Sequence, residues 1–392
     1  MARPKKNRPP DLIIVLDFGG SLTKVIYMDK SGLPQPLCID PEVIGVPKTS
    51  IENYERKKLG NSDFADSAWV GVGESYYAVG YLAASQFNGN AGLNQLKYER
   101  AYPKTLAAVW AVAQELGLKN KFSAAIAVLL PPGEYENAAG LERLIRRGLA
   151  AYETPTGVLN ISLEHFECKP EGGGVYLIHE FNNSTVLKRK TWAVVMVGYR
   201  NASVLVAARG QVNKRVTSNL GFVKLVEAVR DRTSGLALNR LAEAIALAGE
   251  QPNLKVLQPL LMSVTESGRK DELIELRSAI IECRLEYALS LKSWLREVLP
   301  RELDEVVLSG GTAEYLESEL KNHFSGVTVN WNASIELSES LLSAELGNRL
   351  SDAYGMYQYF LNLLSQSLDM TALSSLSNSV QSTEEVAGVA HG

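Results

Sequence analysis

Asp17, Gly19, Gly20, Ser21, Leu22, Thr23 and Lys24 lie where two apolar runs meet, the first starting at Leu12 and the second reaching Met28. The pattern predicts a strand, a tight turn and a second strand. Glycines without a Cβ let backbone N–H groups approach a polyphosphate closely, Lys24 adds positive charge, and Asp17 is suited to hold a water on a divalent metal. The implied ligand is a magnesium nucleotide. A plainer reading needs no ligand, because Gly and Asp are also the commonest residues of an ordinary hairpin turn. No G-x-x-x-x-G-K-S/T segment occurs, and the turn leads into a β-branched run rather than a helix, which excludes the commoner phosphate loop.

The elements that would position such a turn need a sizeable core. The 392 residues, 46% hydrophobic and 21% charged, suffice for two lobes of roughly 150 to 200 residues each. A formal net charge of −4 gives the body no general attraction for nucleic acid or an anionic membrane, and no direct sequence-specific nucleic-acid binding is expected. Arg3, Lys5, Lys6 and Arg8, set among prolines, read as a short disordered basic tail over residues 1–10. No apolar run is long enough to span a membrane. Cys38, Cys168 and Cys283 lack metal-ligand spacing and suit a reducing cytoplasm.

Residues 31–100 read as a small inserted subdomain. A helix is expected over Lys104 to Leu116 with Pro103 in its first turn, then a strand over Ala124 to Leu130 and a helix over Tyr135 to Leu149. Residues 158–190 read as β pieces around Lys169-Pro170-Glu171-Gly172. The lobe boundary is placed near residue 190, giving lobe I as 11–190 and lobe II as 191–360. Thr191 to Gly210 repeats the strand, turn, strand pattern of the opening hairpin, with Gly198, Tyr199, Arg200 and Asn201 in the turn. A helical insertion covers about 214–300, in which Leu273, Leu276, Ile280, Cys283, Tyr287, Leu291, Trp294 and Val298 recur at helical spacing as a packing stripe. A strand, Gly310-Gly311, helix unit follows, and a closing amphipathic helix is expected over 346–364. The Ser-rich segment from 361 to 392 reads as partly disordered.

The order of these pieces resembles the actin-like ATPase superfamily over about residues 11–360. Asp17-Phe-Gly-Gly-Ser-Leu-Thr-Lys24 looks like its first phosphate loop, and Lys169-Pro-Glu171-Gly like its first connecting element. Gly198-Tyr-Arg-Asn201 occupies the second phosphate loop. Val307-Leu-Ser-Gly310-Gly311-Thr312 looks like the adenosine loop, and Asp352-Ala-Tyr-Gly355 like the second connecting helix. Within the superfamily, the short insertion and the Leu130-Pro-Pro-Gly turn resemble the ParM/StbA plasmid-segregation actins, in particular a cyanobacterial-type branch.

The resemblance implies an α/β, ribonuclease H-like, two-lobed fold in which each lobe is a mixed sheet with flanking helices and a smaller inserted subdomain. It implies ATP or GTP with Mg2+ held between the lobes, slow nucleoside triphosphate hydrolysis, assembly into cytoplasmic filaments and a ParR-type DNA-binding adaptor. Glu171 would position the attacking water and Asp17 would orient metal-bound water. Gly19 to Lys24 and Gly198 to Asn201 would take the phosphates, with Gly310, Gly311 and Thr312 against the nucleoside. One departure stands out: Met196 occupies the place of the second loop's acid, so slow hydrolysis or unusually stable filaments are expected, with Arg200 and Asn201 as substitutes. Two other roles stay open. The same filament could serve cell shape through a membrane or adaptor link of the tails, and a small-molecule kinase would need an aspartate base that the sequence does not display.

Overall fold

The computed structural model describes residues 9–233 and 236–367, so most of the basic tail and of the Ser-rich tail lies outside the described residues. The chain divides into two compact units. The first comprises the described parts of residues 1–130, 134–177 and 336–392, and the second residues 131–133 and 178–335.

The first unit is built on a nine-stranded sheet. Its strands are β1 (Leu12–Phe18), β2 (Thr23–Met28), β3 (Pro34–Ile39), β4 (Val43–Val46), β5 (Trp69–Val72), β6 (Ser75–Val79), β7 (Lys121–Leu130), β8 (Tyr152–Thr154) and β9 (Gly157–Pro170). They run in the order β3-β2-β1-β7-β9-β8-β5-β6-β4. β1 pairs antiparallel with β2 and parallel with β7, so the sheet is mixed. Every residue of β1 is buried because both of its faces are covered. Leu12, Ile14, Leu16 and Phe18 pack in the cluster that holds Leu106, Val109 and Trp110, whereas Ile13 and Val15 pack with Met356, Phe360 and Leu364. A strand covered on two sides reads as a continuous apolar run instead of an alternating one.

The second unit carries a five-stranded sheet of β10 (Thr191–Val197), β11 (Ala202–Ala208), β12 (Gln211–Ser218), β13 (Glu305–Ser309) and β14 (Thr328–Trp331). Its order, β12-β11-β10-β13-β14, repeats β3-β2-β1-β7-β9: three antiparallel strands and then two joined in parallel. The helices Phe222–Asp231, Leu238–Ala248 and Glu266–Val298 share one core with this sheet. No helix among the described residues is long and apolar enough to cross a membrane.

Several elements differ from the expectations. The helix expected from Lys104 begins at Lys97 and runs to Glu115, with Pro103 inside it. Its added first turn is held by tertiary contacts, since Tyr98 N donates to the Glu134 carboxylate at 2.9 Å. Residues 173–187, expected as β pieces, form the helix Gly173–Leu187, and the chain passes between the units within it rather than near residue 190. The closing helix is Ser351–Ser367 and belongs to the first unit, because its apolar face meets β1, β2 and β7. Gly174 marks its crossing with the Gly173 helix. A Cβ there would overlap the Asp352 carbonyl and approach Met356 N at 2.6 Å, backbone atoms that cannot rotate away.

Candidate functional site

In the first unit the β1–β2 turn places its polar groups by strand register. Asp17 faces Lys24 and Phe18 faces Thr23, leaving Gly19, Gly20, Ser21 and Leu22 as the connection. Gly19 N donates back to the Asp17 carbonyl at 3.0 Å, and a Cβ on Gly19 would stand 2.5 Å from the Leu22 carbonyl oxygen. Only glycine makes this turn without a shift. Thr23 Oγ1 is buried and has no hydrogen-bond partner in the structure. An orphaned buried hydroxyl costs about 1–3 kcal/mol and calls for a reason, which a polar ligand on this turn would supply.

Two buried ion pairs adjoin the turn. Lys24 pairs with Asp17 Oδ2, and its ammonium also donates to the Arg349 carbonyl at 2.9 Å. Lys97 pairs with Glu171, both side chains being about 10% exposed or less. Burial pushes the Glu171 carboxyl up; Lys97 opposes that shift, Asp17 adds to it, and Lys24 opposes it. Glu171 therefore shares a local field with the hairpin 150 or so residues before it.

Asp352 organises the backbone around Glu171. Its Oδ2 accepts from Gly172 N at 2.8 Å, and its Oδ1 from Gly174 N at 2.8 Å and Val175 N at 3.1 Å. It thus caps the N-terminus of the helix that starts at Gly173, two residues after Glu171. Desolvation, then repulsion from Asp17, pushes the Asp352 carboxyl up to about 7, against the stabilising pull of these N–H groups and of Lys24.

In the second unit the turn Gly198, Tyr199, Arg200, Asn201 joins β10 to β11 and is closed by Gly198 N donating to the Asn201 carbonyl at 2.9 Å. Gly198 O accepts from Phe222 N at 3.1 Å and from Thr312 Oγ1 at 2.9 Å, so the Thr312 hydroxyl ties two of the expected ligand loops together. Gly310, at φ +97°, lies so close to the Val197 carbonyl that a Cβ would overlap it, and Met196 Sδ would be 3.2 Å from that Cβ. Met196 therefore packs against the glycine turn as an apolar wall. Gly311 opens the short helix Gly311–Tyr315. Beside it, Asn332, Ala333 and Ser334 adopt left-handed conformations at φ 53–55°. Asn332 Oδ1 accepts from Ser309 Oγ at 2.7 Å, and its amide donates to Glu314 at 3.2 Å, which holds this strained turn to the end of β13.

The structure thus brings Asp17, Lys24 and Glu171 into one neighbourhood of the first unit, and Gly198, Thr312 and Gly310 into one of the second. Sequence reasoning missed Lys97, which lies 74 residues before its partner with no local motif to mark it. Among the described residues no group of three or more His, Cys, Asp or Glu is placed to hold a metal ion directly.

No family model matches the chain, and no curated protein does. Solved structures do. Alp7A, an actin-like protein, superposes with TM-score 0.62 at 16% identity, covering 91% of this chain and 98% of its own. A ParM from Clostridium botulinum, solved as a 15-stranded filament, gives TM-score 0.59 at 14% identity, covering 89% of this chain and 100% of that one. Ta0583, an archaeal actin homologue in complex with ADP, gives 0.56 at 16% identity, covering 88% and 98%. At these identities the likeness establishes the fold, which is actin-like: mixed α/β with two sheets.

Proposed function

We propose that this chain binds a magnesium nucleoside triphosphate, hydrolyses it slowly and assembles with copies of itself into filaments. The observation that carries the reading is the tight Gly19 turn with two buried carboxylates, Asp17 and Glu171, beside it. An obligatory glycine, an orphaned Thr23 hydroxyl and a lysine-paired acid fit a polyphosphate and its hydrated cation. The actin-like fold supports it, since one relative in that fold was solved with ADP and another as a filament.

The bound nucleotide would supply a phosphoanhydride whose cleavage needs an aligned water and charge stabilisation more than covalent help. The N–H groups of Gly19 to Leu22 would cradle phosphate oxygens, and Lys24, released in part from Asp17, would offset their charge. Glu171 would orient the attacking water and accept its proton. In the second unit, Gly198 to Asn201 would take phosphate oxygens, with Arg200 as the charged member, and Gly310 and Gly311 would let backbone lie against the nucleoside. Met196 offers no carboxylate there, which is why slow turnover is proposed. For such a filament we propose a role in segregating plasmid DNA through a small ParR-type adaptor.

Sedimentation with ATP and, in parallel, GTP tests the reading. Pelleting that rises above a threshold protein concentration with one of them is expected; no pelleting and no nucleotide binding with either would overturn it. Asp17→Ala is expected to weaken nucleotide affinity by about tenfold or more and to flatten its magnesium dependence, measured by titration calorimetry at several magnesium concentrations. Asp17→Asn, which retains an acceptor for Lys24, separates this effect from a loss of folding.

A further inference from the structure

Lys97 is placed against two local penalties. It is a buried lysine, at 8% exposure. It opens the helix Lys97–Glu115, where the N-terminal partial charge is positive and a cation is disfavoured. The preceding residue, Leu96, gives that helix no side-chain cap, and a carboxylate from a separate segment, Glu134, meets the Tyr98 N–H instead. A surface lysine away from a helix start would avoid both costs. What Lys97 gains is a single strong contact, its ion pair with the Glu171 carboxylate.

That contact matters for what Glu171 can do. A carboxylate removed from water reverts toward its neutral form unless a cation or hydrogen-bond donors hold the charge. The charged and titratable groups acting on Glu171 are Lys97, Asp17 and Lys24. Asp17 repels it, while Lys24 divides its charge with Asp17 and the Arg349 carbonyl. Lys97 is the group that pairs with it directly.

We propose that Lys97 is a positioning residue for Glu171: by its buried ion pair it keeps the carboxylate ionised and pointed, so that Glu171 can take a proton from water at neutral pH. This rests on the hydrolytic reading given above and deepens it. Lys97 acts through the carboxylate with which it pairs. Asp352 complements it by fixing the backbone on the other side of Glu171 through Gly172 and Gly174.

The full chain carrying Lys97→Met, which keeps much of the stem's volume without the charge, provides the test, with Lys97→Arg as the conservative control. With Lys97→Met, hydrolysis at pH 7 is expected to fall about tenfold or more and the acidic limb of its pH profile to move up by about a unit or more, while nucleotide affinity stays within a few-fold. Lys97→Arg should restore most of the rate and the original limb. An unchanged limb, or a faster Lys97→Met, would overturn the proposal, the latter meaning that the lysine restrains Glu171. The Glu171 carboxyl is also followed directly by 13C NMR in nucleotide-free protein, using Glu171→Gln to assign its signal. Its midpoint should rise in Lys97→Met, and an unmoved midpoint sinks the assignment. If the wild-type chain hydrolyses nothing, the functional reading fails, yet the NMR titration still decides the role of Lys97.

Discussion

Glu171→Gln is expected to slow nucleotide hydrolysis by about 10²- to 10³-fold while leaving nucleotide affinity and pelleting nearly intact. The amide keeps an oxygen that can accept from Lys97, so the buried ammonium retains a partner and the local backbone has little reason to move. What is lost is the ability to take a proton from water. Phosphate release from pre-formed filaments gives the measurement, with sedimentation in the same sample as the control. A variant that pellets and hydrolyses at the wild-type rate would remove Glu171 from the chemistry. Glu171→Ala is a poorer probe, because it strands Lys97 as an unpaired buried charge at a cost of about 3–5 kcal/mol.

Asp352→Ala is expected to destabilise the first unit by about 3 kcal/mol or more, because three backbone N–H groups at the start of the Gly173 helix lose their acceptor in a site without solvent. Against a typical total of about 5–15 kcal/mol this is a large share. Urea unfolding followed by circular dichroism reads it, with the midpoint falling. The same carboxyl gives a pH signature whose sign follows from its direction of shift. Its folded value is raised to about 7 from an ordinary 3.8, so the native state binds the proton more tightly than the unfolded chain does. The stabilisation this contributes is complete below the unfolded value and lost as pH rises through about 7. Wild-type stability relative to Asp352→Asn should therefore decline between about pH 4 and pH 7, by roughly 1 kcal/mol per pH unit at most. A flat difference would show that the three N–H groups hold Asp352 ionised throughout.

The two variants separate the roles of neighbouring groups. Losing the acidity of Glu171 is expected to cost hydrolysis and little structure. Asp352 is placed where losing its oxygens costs structure first, and the Glu171 loop goes with it.

Much of the site was legible along the chain because its hairpins are local. Asp17 to Lys24 and Gly198 to Asn201 were recognisable since a glycine turn between apolar strands is written in consecutive residues, and register alone sets Asp17 opposite Lys24. Glu171 was found by its Gly-rich surroundings, although the helix beginning at Gly173 was misread as β because its buried face and its small residues resemble neither period clearly. The start of the Lys97 helix was missed because a proline is favoured in a helix's first turn and disfavoured in its interior, whereas here contacts from Glu134 and Glu171 extend the helix ahead of Pro103.

Local spacing and turn chemistry were sufficient for the α/β class and the two hairpins with their glycine turns, because each depends on neighbours in the chain. The ionic partners were decided only on folding. Lys97 reaches Glu171 across 74 residues because its helix packs on one face of β1 and β7, and Asp352 caps Gly172 across 180 because the closing helix packs on the other. Charge state in a buried site follows from who the three-dimensional neighbours are, and no interval along the chain encodes that.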